Sequence, residues 1–388
     1  MTLRRSFLKS AGLTATSYAR VMGANERIRL GAIGVGGRCR YLLQTAVEHA
    51  NVEIAAVSDV YAPRRAETVA KIAPHAKEHP DYRQLLETKD IEAVIIGSPD
   101  HWHVPMTVDA VKAGKDVYVE KPLTKTIEEG PLVEKTVRDS GRIVQVGYQQ
   151  RSWEHFKAAS RFIAEGQLGQ VTLVMASWYQ NYLGTDPRTS PLDTTQLEWK
   201  RWLGAAPYRP PSPLVYYRWR WLWDFGGGHL TDLYSHYCDV IHWYLGKAQP
   251  ESVMTMGGNY AIDYLECPDT INAAYQYPGV AVVYQGTMVC RLEGGNIVFR
   301  GSKAMMKINR DGFAVYPEGV VPAEKTFYPP PVAEMKSARD GTIDHMLNFL
   351  DCVKTRKEPN SPVHTSVEAA RAAHLGNLAY RRGVKVTA

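Results

Sequence analysis

Between residues 28 and 147 short runs of β-forming residues alternate with segments of helical period, and this alternation restricts the fold more than any other feature. Strands are read at 28–34, 52–59, 93–97, 117–119 and 143–147, with helices at 39–49, 63–72, 104–113 and 127–140. Strands separated by helices at this spacing predict βαβ units and a parallel, doubly wound sheet. After residue 151 the character changes. A helix at 153–165 and a strand at 171–178 are followed by an irregular stretch rich in Pro, Tyr, Trp and Arg, reaching about residue 223. A helix at 228–245 precedes β-type runs at 251–256, 270–277, 281–288, 295–300 and 304–309, and helices at 342–355 and 366–381 close the chain. Consecutive strands joined by short turns imply an antiparallel sheet. The expected class is α/β: an N-terminal Rossmann-type doubly wound parallel sheet over 26–150, then a C-terminal α/β domain over 151–388 with an open, mainly antiparallel sheet. The final helices are placed to pack back on the first domain.

The 388 residues are enough for two domains with large cores. The net charge of +6 is local, because Arg4, Arg5, Lys9 and Arg20 stand near the start without an acid among them. Of the 46 basic residues 42 then remain, against 40 acidic ones, and nucleic acid is not an expected partner. No apolar run approaches the roughly 20 residues needed to span a bilayer, so stable membrane association is not expected. Five cysteines without a C-x-x-C pair argue against a disulfide framework and a structural zinc site. Leu3-Arg4-Arg5-Ser6-Phe7-Leu8-Lys9 resembles a twin-arginine export signal, so residues 1–25 are read as a signal segment and the protein as periplasmic. The alternative is a disordered basic tail on a cytoplasmic protein.

Gly34, Gly36 and Gly37 join the first strand to the first helix, followed by Arg38. Gly34 permits a tight turn, and Gly36 lets the backbone approach a pyrophosphate on the helix N-terminus. Position 39, where the fingerprint has its third glycine, is Cys39. Asp59 ends the second strand near the distance expected of the ribose-binding acid. A carboxylate there favours NAD over NADP, and a tightly bound cofactor suits an exported enzyme. Further cofactor contacts are expected from Ser98, Pro99, His101, His103, Glu120, Lys121 and Gln149, which follow later strands of the same sheet.

Val117-Tyr118-Val119 runs into Glu120-Lys121-Pro122, and the proline stops the strand. With Gly97-Ser98-Pro99-Asp100-His101-Trp102-His103 upstream, these motifs resemble those of the Gfo/Idh/MocA family of oxidoreductases. The resemblance runs from about Glu26 to the C-terminus. It implies a Rossmann domain, a C-terminal sheet that often forms the oligomer interface, and NAD(P)-dependent redox chemistry at a carbohydrate or cyclitol carbinol. It also matches Lys121 to the family's lysine and His103 to its histidine after the third strand. The family's Asp-x-x-x-His is matched by Asp232 and His236, after the turn Gly226-Gly227-Gly228.

On an uninterrupted helix His229, Asp232, His236 and Asp239 fall within an arc of roughly 80°. Ionisable groups on one stripe are costly unless the stripe lines a polar cavity. Taking a hydride from a carbinol requires removal of the hydroxyl proton, a task that suits His236. Asp232 can hold a hydroxyl or fix the imidazole, and Lys121 can stabilise an alkoxide. These three are the catalytic candidates. Asp239 reads as a structural partner. The substrate candidates are Lys121, Arg151, Trp178, Tyr179, Trp221, His229, Asp232 and His236, with the aromatic rings offered as stacking faces for a sugar. A metal is the rival reading for the histidine clusters, but no cysteine joins them and no metal is expected. The leading expectation is an NAD-dependent oxidoreductase acting on a sugar, glycoside or cyclitol. The alternatives are a glycosidase working by transient oxidation and a non-catalytic NAD- or sugar-binding protein. A homo-oligomer, dimer or tetramer, is expected.

Overall fold

The computed structural model describes residues 27–319 and 328–388. The paired-arginine segment, with the expected export signal, lies outside the described residues. The first sheet contains β1 (Ile28–Ile33), β2 (Val52–Ser58), β3 (Lys77–His79), β4 (Ala93–Ile96), β5 (Asp116–Val119) and β6 (Val144–Val146). Its order is β3-β2-β1-β4-β5-β6 and every pairing is parallel. Helices α1 (Gly37–His49), α2 (Ala62–Lys71), α3 (Tyr82–Leu86), α4 (His103–Lys112) and α5 (Glu129–Ser140) connect these strands. β4 and β5 are buried at every position, as expected of strands covered on both faces. The chain leaves β1 toward β2 and returns on its other side as β4. That reversal of direction opens a crevice at the carboxyl ends of β1 and β4.

After α6 (Glu154–Ala164), the second sheet has the order β14-β13-β12-β11-β7-β10-β9-β8-β15. Its strands are β7 (Val171–Tyr179), β8 (Ser252–Gly258), β9 (Thr270–Tyr277), β10 (Val280–Thr287), β11 (Gly295–Gly301), β12 (Ala304–Asn309), β13 (Gly312–Pro317), β14 (Ala333–Lys336) and β15 (Val386–Thr387). It is mainly antiparallel, with one departure: β7 and β10 pair in parallel. β7 enters the sheet long before its neighbours, and the later strands pair on both sides of it. The short edge strands β3, β14 and β15 escape the sequence pattern because they are brief and carry little apolar periodicity; β13, paired between β12 and β14, escapes it too.

One face of this sheet packs under the turn Leu230–Tyr234, α9 (Ser235–Leu245) and α11 (Val363–Arg382), with Tyr234, Tyr237, Tyr275, Tyr284 and Phe299 in the core. Between β7 and α9 lie α7 (Trp199–Leu203) and α8 (Pro213–Arg218), inside the stretch read as irregular. α10 (Gly341–Thr355) packs on the first sheet, with Met346, Phe349 and Leu350 in the same cluster as Tyr118. The amide of Gln145 donates to the His345 carbonyl at 2.7 Å.

Candidate active site

Gly34 follows β1 with φ of +72°, and a Cβ there would stand 2.7 Å from the Ser98 backbone. Only glycine lets the two segments close at that point. α1 follows Gly36, which offers no side-chain cap, and has no acid in its first turn. Its leading amides are therefore available to an anion. Cys39 is buried where the fingerprint has glycine; a Cβ on Gly97 would lie 2.7 Å from that of Cys39. The glycine needed for close helix–strand packing is supplied by the strand instead of the helix. Nothing crowds a Cβ at Gly37.

Asp59 is buried just beyond β2, where its Oδ1 accepts from the Tyr61 amide at 2.9 Å. Burial pushes its carboxyl up, against the lowering charges of Arg64 and Arg65. Gly34, Asp59, Ser98 and Pro99 line one cavity, completed by Arg201 and Trp202 of the second domain. Two buried polar atoms on this side, Ser98 Oγ and Gln149 Oε1, have no hydrogen-bond partner among the described residues. The glycine cradle, the uncapped helix, the carboxylate and these open polar atoms fit a dinucleotide.

The segment around α7 crosses this cavity as a strap. Tyr61 and Leu197 form an isolated bridge, and the Glu198 amide donates to the Val60 carbonyl at 2.9 Å. The Trp202 carbonyl lies 2.8 Å from Trp102 Nε1 and 3.0 Å from His101 Nε2. His101, expected on the cofactor, therefore anchors the strap, and burial lowers it to about 4. His103 faces the carbonyls of Pro122 at 2.7 Å and Ser98 at 2.9 Å. It ties the ends of β4 and β5 together behind the site, and burial lowers its pKa.

Lys121, one residue past the Glu120 that follows β5, reaches the second domain. Its Nζ donates to Asp232 Oδ1 and to the Asp232 carbonyl, each at 2.6 Å. Arg220 Nε lies 3.2 Å from the same Oδ1. Burial would raise the Asp232 carboxyl, but the charges of Lys121 and Arg220 outweigh it and hold it below the usual range. Beside it, Glu120 pairs with Arg38 at 2.8 Å, and against burial that pairing lowers its carboxyl as well. His236 is buried with Nδ1 3.2 Å from Gln150 Oε1, stacked on Trp178 at 5.7 Å between centroids. Burial, then the charges of Lys121, Arg310 and Arg38, push it well below the ordinary histidine range, so the ring is neutral at pH 7.

The stripe expected on the 228–245 helix divides. Leu230–Tyr234 is a π-helical turn, which fits an extra residue into the turn and breaks the 100° phase. Asp232 meets Lys121 and His236 meets Gln150, but the outer two residues turn elsewhere. His229 is buried, with Nε2 3.2 Å from the Asp269 carbonyl and Nδ1 3.4 Å from the Tyr284 hydroxyl. Burial lowers it to about 4, and both nitrogens are occupied, so it packs the core and does not present itself to a substrate. Arg151, expected on the substrate, bonds Asp239 through Nε at 2.9 and 2.8 Å. Asp239 is fully buried, and its burial raises its carboxyl to about 6 despite the arginine. Trp178 supports His236, and Trp221 is buried edge-on to His229, so neither is a free stacking face. Tyr179 closes β7 with its amide on the Gly294 carbonyl.

Two residues near the centre, Gln150 and Asp100, escape the sequence reading. Gln150 orients His236 but looks like any polar residue after a strand. The pairing of Arg220, in the aromatic stretch, with Asp232 has no signal in its spacing. Asp100 is buried, and burial first, then the nearby Asp232, raises its carboxyl to about 7 against Arg220 and Lys121. Among the described residues no group of three or more His, Cys, Asp or Glu is arranged to hold a metal ion.

Comparison with known proteins agrees with this architecture. Residues 28–148 match the family described as oxidoreductase family, NAD-binding Rossmann fold, and residues 161–387 match its C-terminal alpha/beta domain. An inositol 2-dehydrogenase of Salmonella paratyphi B is 31% identical over 154 residues, covering 39% of this chain and 46% of the relative. A 1-carboxy-3-chloro-3,4-dihydroxycyclo hexa-1,5-diene dehydrogenase of Comamonas testosteroni is 27% identical over 215 residues, 55% of this chain and 46% of that one. The chain thus spans about half the length of these curated relatives. Among solved structures, levoglucosan dehydrogenase with NADH and levoglucosan superposes with a TM-score of 0.73 at 17% identity, covering 93% of this chain and 99% of that one. The WlbA dehydrogenase from Bordetella pertussis, with NADH and UDP-GlcNAcA, gives a TM-score of 0.70 at 20% identity with the same coverage.

Proposed function

Because the chain belongs to the Gfo/Idh/MocA oxidoreductase family, with an NAD-binding Rossmann domain, we propose that it transfers a hydride between NAD and a carbinol carbon of a carbohydrate or cyclitol. The observation that carries this reading is the convergence of Lys121, Asp232 and neutral His236 at the carboxyl edge of the nucleotide-binding sheet.

When bound, NAD supplies the hydride acceptor or donor; Gly34, the first amides of α1, Asp59, Ser98 and Gln149 hold it. An ammonium has three N–H donors. Two of those on Lys121 are taken by Asp232, and the third is left for a substrate oxygen. Asp232 thereby fixes the direction of the remaining donor, and the lysine's charge stabilises an alkoxide in this largely buried site. With Gln150 Oε1 accepting from His236 Nδ1, Nε2 keeps its lone pair and takes the hydroxyl proton.

The relatives named above are dehydrogenases, which supports net redox over the hydrolytic alternative. The strap over the nucleotide cavity supports tight retention of the cofactor. Exposed Met175, Met254 and Met256 on the outer sheet face support a homo-oligomer, and Arg4-Arg5 in its apolar setting supports periplasmic export.

The test is to purify the protein, measure copurified NAD(H), and offer polyols and glycosides with and without added NAD. NADH formed in step with oxidised carbinol is the expected result. Aglycone release without net NADH would transfer the reading to a glycosidase. Binding of NAD with no turnover of any polyol or glycoside would overturn it.

A further inference from the structure

Arg310 lies in the tight turn between β12 and β13, at the proton-handling end of the site and away from the nucleotide cavity. Its guanidinium stands 4.9 Å from the centroid of Trp178, the ring that stacks on His236. Its Nε is buried without a hydrogen-bond partner, and among the described residues no carboxylate stands within ion-pairing distance of it. Arg38, across the site on α1, uses Nε on Glu120 but leaves Nη2 buried and unpaired. The acids that act on Arg310 from a distance are Glu120, already paired with Arg38, and Asp340, whose carboxylate holds the Tyr41 hydroxyl and the Thr342 amide. Lys121 and Arg220 are matched by Asp232. Beside His236, two guanidiniums therefore keep an unmatched N–H.

A desolvated cation without a counter-ion is costly, and a planar guanidinium recognises a carboxylate well. We propose that Arg310, assisted by Arg38, binds an anionic group of the substrate, which makes the preferred substrate a sugar or cyclitol acid such as a uronate. This deepens the hydride-transfer reading and rests on it. The cofactor's own phosphates are the other source of negative charge. Arg310, however, does not line the cavity of Gly34 and Asp59, and it belongs to the opposite domain.

The test uses the full chain loaded with NAD(H) and measures binding of glucuronate and galacturonate beside glucose, galactose and myo-inositol. The expected result is at least about tenfold tighter binding of a uronate than of its neutral counterpart. In R310Q that preference falls below about threefold, R310K restores part of it, and NADH affinity is unchanged in both. Neutral sugars bound as tightly as their uronates, or a preference that survives R310Q, would overturn the assignment while leaving hydride transfer standing. Loss of NADH affinity in R310Q with sugar binding intact would assign Arg310 to the cofactor and overturn it too. A loaded enzyme that binds neither class would overturn the hydride-transfer reading and this inference with it.

Discussion

The Lys121 ammonium stands 2.6 Å from both the Oδ1 and the backbone carbonyl oxygen of Asp232, a residue 111 positions away in the other domain. The contact couples the edge of the nucleotide sheet to a π-helical turn. It takes two of the lysine's donors and aims the third, while the lysine's charge keeps Asp232 ionised in a buried setting. Several consequences of this arrangement can be measured.

His236 is held neutral by burial and by the surrounding cations. Oxidation requires the neutral ring, so kcat/KM should not lose activity through His236 between pH 6 and 8. Its loss should begin only well below the ordinary histidine pKa of about 6.5. Replacement by Gln should lower kcat by about 10²–10⁴-fold, with NAD affinity retained. An acid limb near 6.5 that disappears in H236Q would contradict the buried, cation-ringed histidine.

Asp100 has the opposite signature. Its folded pKa of about 7 lies above the value of an unfolded carboxyl. Below pH 4 both states hold the proton. As pH rises toward 7 the unfolded chain releases it first, so the buried carboxyl progressively destabilises the fold. D100N removes this penalty and should gain about 2–5 °C in Tm over wild type at pH 8, with little gain at pH 4. Calorimetry across that range checks it; a gain independent of pH would contradict the assignment.

Trp202 closes the nucleotide cavity and offers its carbonyl to His101 and Trp102. W202A should release NAD at least about tenfold faster than wild type, and W202F should retain most of the slow release. Stopped-flow displacement of NADH measures the rates. Equal rates in all three proteins would remove the strap from cofactor retention.

Asp59, buried just beyond β2 and within reach of the Arg64 and Arg65 charges, is the residue proposed to hold the cofactor ribose. D59A should weaken NAD by about tenfold, the loss of one or two hydrogen bonds to a charged group, while NADP is weakened less or gains. Titration of nicotinamide fluorescence with both cofactors distinguishes this from a uniform loss, which would deny Asp59 a part in discrimination.

The sequence made the nucleotide half legible because its requirements are local. Gly34, Asp59 and Lys121-Pro122 each answer a demand set within a few residues of a strand end. Asp232 and His236 were legible as a pair, but their neighbours were not. The π turn breaks the helical phase, so extending the stripe to His229 failed, and Asp239 found its partner in Arg151, 88 residues away. Cys39 reads as a defect in the glycine motif until Gly97 is seen beside it. The strap, Gln150 and Asp100 depend on contacts between the two domains, for which spacing along the chain carries no signal. The edge strands β14 and β15 were missed for lack of length, and the parallel β7–β10 pair follows from long-range chain order.

The most direct test of the account is a single-turnover measurement at 340 nm on NAD-loaded wild type and K121M, with the best substrate found in the polyol screen. The account predicts that K121M binds NAD as wild type does and forms NADH at least about 10³-fold more slowly, because the alkoxide loses its cation. Hydride transfer by K121M at the wild-type rate would contradict it.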